Sequence, residues 1–131
     1  MSEENVEIVR RGIEAFNRRD MAAIRADAHP QVEWVEDPRY PGAQTFQGPD
    51  GVEQSVRKWW DAWMIELEPE DFIDLGDRVV VTGHGHYRGH GSDVTLTAEF
   101  AGVYEIRENK IVRAEVVESR QAALEAVRLR E

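Results

Sequence analysis

The chain of 131 residues contains no cysteine. That excludes disulfide bridges, thiolate metal sites and cysteine nucleophiles. No apolar run approaches the ~20 residues needed to cross a bilayer. The first residues, MSEENVEIVRR, hold no apolar signal-peptide core. A cytoplasmic protein is the expectation. Positive charge is scarce: 16 Lys and Arg stand against 26 Asp and Glu, a formal net charge of −10. Nucleic acid and anionic membrane both require clustered Lys or Arg to replace counterions, so neither is an expected partner. The small basic groups Arg10-Arg11 and Arg18-Arg19 sit among glutamates and read as a solvated helix face. No P-loop is present and no Ser-His-Asp order. The glycines of GHGHYRG lie between two strands rather than between a strand and a helix, which excludes a dinucleotide site.

What is present fits one globular domain over residues 1–131, with 41% hydrophobic and 32% charged residues. Val6, Val9, Ile13 and Phe16 recur at helical spacing and predict an amphipathic first helix. Asp20 reads as the N-cap of a second, short helix, MAAIRADA. QVEWVED reads as a strand and PRYPGAQTFQG as loop. Pro49 and Asp50 open a third helix with an apolar stripe of Val52, Val56, Trp59, Trp60, Trp63 and Leu67. From Glu70 to Ser119 the pattern is β, with short turns at Gly76-Asp77, Gly89 to Ser92 and Glu108-Asn109. QAALEAVRL is a closing helix. The order α-α-β-α-β-β-β-β-α predicts an α+β fold: one antiparallel sheet, its apolar face covered by three helices from the N-terminal half. Two strands exceed ten residues, and long strands twist and curl. Gly83, Gly85 and Gly102 are points where such a sheet bends or bulges. A curled sheet under helices leaves a cone-shaped hollow.

Several stretches in this order resemble the nuclear transport factor 2-like superfamily, and within it the SnoaL-like, polyketide-cyclase-like group. They are EENVEIVRRGIEAFNRRD, HPQVEWVEDP, FQGPDGVEQSVRKWWDAW, FIDLGDRVVV and VYEIRENKIVRAEVVESRQAALEAVRL. The resemblance implies a cystatin-like α+β roll. It also implies a homodimer paired through the outer face of the sheet, for which the valines of RVVV and VRAEVV are candidates. The superfamily spans isomerases, cyclases, epoxide hydrolases and proteins without chemistry, so the pocket decides the function. Ketosteroid isomerases in it use an aspartate base in a Val-Glu-Asp-Pro sequence, found here at Val35 to Pro38. Their two oxyanion donors would fall at Gly12 and Gly102, where no donor exists. Isomerisation by that machinery is therefore not expected. The Asp-Arg-Asp arrangement of limonene-epoxide-hydrolase relatives is absent at family spacing.

Asp37 is thus the candidate catalytic base, weighed against Asp-Pro turn chemistry. Trp34, Tyr40, Trp59, Trp63, His86, Tyr104 and Glu118 are the candidate ligand-binding residues. The tryptophans read as core, or as core and pocket wall together. His84, His86 and Arg88 share a strand parity. A His84/His86 metal site is the lesser reading, because zinc needs a third protein ligand and Arg88 is a poor neighbour for a cation. The expected partner is a small apolar molecule and no cofactor is implied. The expected activity is acid/base chemistry of the isomerase, cyclase or hydratase type; the alternative is a binding module without chemistry.

Overall fold

The structure, a computed structural model, describes the backbone of residues 2–129 and the side chains of residues 3–128. The elements are α1 (Ser2–Asn17), α2 (Met21–Ala26), β1 (Ala28–Val35), β2 (Thr45–Gln47), α3 (Gly48–Ala62), β3 (Trp63–Asp74), β4 (Arg78–Gly89), β5 (Thr95–Arg107), β6 (Lys110–Val117) and α4 (Arg120–Leu129).

The first helix buries Val9 and Ile13 and packs Val6 and Phe16 against the core, as its 3.6-residue pattern dictates. Glu3 and Glu4 stand in its first turn, where the helix dipole favours negative charge. It stops at Arg19, which is left-handed at φ 59°. The Arg19 N–H donates to the Phe16 carbonyl at 3.2 Å and the Asp20 N–H to the Ala15 carbonyl at 2.9 Å. That is the helix-ending pattern usually built on glycine. Asp20 then caps α2 by accepting from the Ala23 N–H at 3.0 Å.

The sheet runs β2-β1-β6-β5-β4-β3 and is not closed. It differs from the sequence-based expectation in three ways. The strand β2 forms inside the stretch read as loop and pairs antiparallel with β1. The sheet is mixed, because β1 and β6 are parallel neighbours. The third helix ends at Ala62, so Trp63 and Leu67 belong to β3 and not to the helical stripe. There, pairing of Trp63 to Glu68 with Gly89 to His84 outweighs continuation of the helix. The register of β3 against β4 shifts between Pro69 and Asp71, opposite Gly83. A β-carbon on Gly83 would lie 2.1 Å from the Glu68 carbonyl oxygen, so only glycine admits this close approach.

Helices cover the inner face of the sheet and part of the outer face. On the inner face Val79, Val81, Phe100 and Ala114 pack with Ile8, Val9, Ile13, Val52, Val56 and Trp60 from α1 and α3. On the outer face Val80, Ala101, Val103 and Val117 pack under Ala123 and Val127 of α4. Arg120 pairs with Asp71 at 2.7 Å, and Arg78 donates to the Val127 carbonyl at 3.1 Å, fixing α4 to the sheet. Of the valines named for pairing between copies, Val80 and Val117 lie under α4. Of RVVV, Val79 and Val81 face inward. No helix among the described residues is long and apolar enough to cross a membrane.

Candidate functional site

Past the end of β1 the chain turns sharply over one end of the cone. The backbone of Glu36 is tied to Gln44, whose carbonyl accepts the Glu36 N–H at 3.0 Å. Within that loop the Arg39 N–H donates to Asp37 Oδ1 at 2.9 Å, an Asx turn. The Arg39 guanidinium returns to Asp37 Oδ2 through Nε at 2.9 Å and Nη2 at 2.6 Å. Asp37 is 2% exposed, and both of its oxygens accept hydrogen bonds. The same contacts, with Asp37 foremost, raise the Arg39 pKa further above its ordinary value.

Glu36 is the second buried carboxylate. It accepts from Ser55 Oγ at 2.6 Å, Lys58 Nζ at 2.7 Å, Trp59 Nε1 at 3.2 Å and the Gln44 N–H at 3.1 Å. Burial pushes its carboxyl up, but the hydrogen bonds from Lys58, Ser55, Gln44 and Trp59 outweigh that and hold it below the usual carboxylate value. Since Ser55, Lys58 and Trp59 lie on one face of α3, Glu36 locks the first strand to that helix and sets the Trp59 indole.

These groups surround a cavity of about 140 Å³ between the helices and the inner face of the sheet. Val9, Ile13 and Phe16 of α1 contribute one side, Trp34 and Trp59 another, Phe100 and Tyr104 the floor. Tyr40 meets Trp59 edge-on with ring centroids 4.8 Å apart. Tyr87 also lines the cavity, with Tyr40 beside it. Burial, then the Tyr40 contacts, push the Tyr87 phenol up to about 12. Burial alone pushes Tyr104 up to about 12. Both phenols therefore keep their protons at neutral pH.

Of the residues named from sequence, Trp34, Asp37, Tyr40, Trp59 and Tyr104 meet at the cavity. The other three do not. Trp63 stands behind Tyr87, edge-on at 5.9 Å. Glu118 is exposed, near enough to act on the charge of Arg39. His86, expected to orient a ligand, lies on the outer face, bonded to Glu68 at 2.9 Å and Thr97 at 3.2 Å. Its strand parity is that of Val80, opposite to the cavity-lining Tyr87. Trp60 packs into the core against Phe16 at 5.7 Å rather than lining the cavity. Gly102 leaves no extra room, because the Tyr104 ring lies over it. Glu36, Arg39 and Tyr87 were not singled out. Tyr87 was legible as the opposite parity to His86, and Arg39 as a cation two residues after Asp37.

The histidines are committed separately. His84 reaches Glu70 at 3.1 Å, and His90 bonds the Trp60 carbonyl at 2.9 Å. Among the described residues no three or more His, Asp or Glu side chains converge as a metal site would require.

The helix-backed curved sheet and its hollow define a cone-shaped α+β domain built around a small cavity. The chain belongs to the SnoaL-like domain family, whose model matches residues 9–114. Among solved structures it is similar to an NTF2-like protein of unknown function from Burkholderia pseudomallei K96243, with 28% identity, 98% of each chain covered and a TM-score of 0.80. It is also similar to TerC, co-crystallised with polyporic acid: 29% identity, 95% of this chain and 98% of that one, TM-score 0.76. A protein of ketosteroid isomerase-like fold from Catenulispora acidiphila DSM 44928, in complex with trimethylamine, is 14% identical over 91% and 90% of the chains with a TM-score of 0.76, and speaks to the fold alone. No curated protein matches the chain.

Proposed function

We propose that the protein binds a small, flat, largely apolar molecule in the cavity between α1, α3 and the sheet. The observation that carries this reading is the state of the lining. Its walls are aromatic and aliphatic, and its two buried carboxylates are already paired, Glu36 by Lys58 and Ser55, Asp37 by Arg39. A volume of about 140 Å³ is well below the roughly 300 Å³ at which drug-sized pockets begin. It is close to the ~150 Å³ apolar cavity known to admit benzene, so a ligand the size of one ring fits. TerC, which took up polyporic acid on crystallisation, supports an organic ligand for a chain of this kind.

Toluene is a suitable first probe, titrated by calorimetry. Gly12 lines the cavity, and a β-carbon there meets nothing nearer than Ile111 Cδ1 at 4.0 Å. Gly12→Leu therefore fills the hollow without disturbing the backbone. Saturable toluene binding that disappears in Gly12→Leu is the expected result. No binding, or equal binding by both proteins, would refute the reading.

A second reading is acid/base chemistry at Asp37, favoured by its burial in the cavity wall. Arg39 would have to release an oxygen before the carboxylate could take a proton. Exchange of the acetophenone methyl protons in heavy water, followed by NMR, tests it. Acceleration by the protein and its loss in Asp37→Asn would support the base; no acceleration leaves the binding role.

A further inference from the structure

Among the described residues, neither the Tyr104 hydroxyl nor the Trp34 indole N–H of the cavity lining has a hydrogen-bond partner. They are not scattered. In the sheet Trp34 of β1 is registered with Ala114 of β6, and Ala114 with Tyr104 of β5. The three residues form one row across the inner face, with the shortest side chain in the middle. At the usual spacing of strands, the outer two backbones stand roughly 10 Å apart. Both Trp34 and Tyr104 line the cavity and pack against the core that holds Ala114.

The remaining polar groups of the lining differ from these two. The Tyr40 and Tyr87 hydroxyls lie beside each other. Ser55 and the Trp59 indole donate to Glu36. Asp27 is engaged by Arg11 at 2.8 Å, Asp37 by Arg39, and Glu99 accepts from the Arg120 N–H at 3.3 Å. Neither Trp34 nor Tyr104 is engaged by a protein partner among the described residues, and both can donate to a ligand. Indole donates only, and a phenol whose burial keeps it protonated donates as well.

We infer that Trp34 and Tyr104 form a subsite for a neutral acceptor oxygen, and that the ligand is a small aromatic or cyclic carbonyl compound rather than a hydrocarbon or an amine. This rests on the cavity being a small-molecule site. A hydrocarbon would leave both donors desolvated and unpaired, and an ammonium group could not accept from either. A carbonyl carries two lone pairs and takes both.

The test compares acetophenone with α-methylstyrene, which has the same shape with CH₂ in place of the carbonyl oxygen. The native protein should bind acetophenone about three- to tenfold more tightly, the worth of one or two net hydrogen bonds. In Tyr104→Phe that preference should fall to about twofold or less, while α-methylstyrene binds as before. The variant keeps the ring that covers Gly102 and loses no protein hydrogen bond, so it should fold. The infrared carbonyl stretch of bound acetophenone provides a check without any variant: it should lie at lower frequency than in hexane, where no donor is present. Equal binding of the two probes, an unchanged preference in Tyr104→Phe, or an unshifted carbonyl stretch would overturn the subsite. Binding of neither probe would overturn the cavity reading as well.

Discussion

The ring of Tyr104 lies across Gly102, its Cε1 atom 2.9 Å from where a β-carbon would stand. The same relationship recurs one strand away, where the Tyr87 ring comes within 2.8 Å of a β-carbon on Gly85. In each case a tyrosine two residues on covers the glycine's bare backbone, and the glycine in turn fixes the ring against the sheet. Two of the cavity's three phenols are oriented in this way. Gly102→Ala should therefore push the Tyr104 ring aside and cost about 1–2 kcal/mol. Gly83→Ala should cost more, about 3 kcal/mol, because its β-carbon meets a carbonyl oxygen that cannot swing away. Urea unfolding of both variants checks the order. Gly102→Ala should also lose preference for a carbonyl ligand, whereas a Gly83 variant that still folds should not.

Asp37 and Arg39 form an unequal pair. The carboxylate is 2% exposed, and the guanidinium side chain is 42% exposed. Removing the arginine leaves a buried charge with only a backbone N–H for company. Removing the carboxylate's charge leaves a cation that can turn to water. Arg39→Ala should thus destabilise by about 2 kcal/mol or more, and Asp37→Asn by about 1 kcal/mol or less. The double variant should be more stable than Arg39→Ala alone. A cycle of thermal unfolding measurements decides it, and equal losses from the two single changes would contradict the asymmetry.

His86 faces away from the cavity and makes its bonds across the sheet surface to Glu68 and Thr97. His86→Ala should therefore leave toluene affinity within about twofold of the native value, as expected for a surface change away from the site. A larger loss, by calorimetry, would mean that the outer face communicates with the cavity.

The face of His86 shows where the sequence stops being legible. Strand parity placed His84, His86 and Arg88 together correctly, but choosing a face needs a contrast between apolar and polar positions. In RVVVT that contrast is missing. Val79 and Val81 face α1 and α3 while Val80 faces α4, so both parities are apolar. The α3–β3 junction fails for a related reason. DAWMIELE holds no glycine or proline to mark it, and the alternation of Ile65 and Leu67 with Glu66 and Glu68 was hidden inside a helical stripe. By contrast, the first helix and the β4–β5 and β5–β6 turns carry local signals and were readable. So was the family, because many weak landmarks fall in order along the chain. Glu36 was passed over in favour of its neighbour. Its partners Ser55, Lys58 and Trp59 lie about twenty residues away, and nothing local announces them.

Glu36 makes the stability of the fold pH-dependent in one direction. Its folded-state pKa lies below the ordinary 4.5, so the unfolded chain binds a proton first as the pH falls. The stability that Glu36 adds is complete above about pH 4.5 and is lost as the pH drops from there through the folded-state value. Once protonated, the carboxyl can no longer hold Lys58 as an ion partner, and burial counts in its favour only as a neutral group. Glu36→Gln should lower stability near neutrality by about 1–2 kcal/mol, a figure kept modest because Lys58 is half-exposed. The cost should shrink as the pH falls below 4.5. Native and variant melting curves, collected from pH 7 down to pH 3, should converge at the acid end. Because Glu36 also fixes the Trp59 indole, the variant's tryptophan emission should shift at neutral pH, and toluene binding should weaken with it. Parallel melting curves across the whole range would show that another carboxylate governs the acid limb.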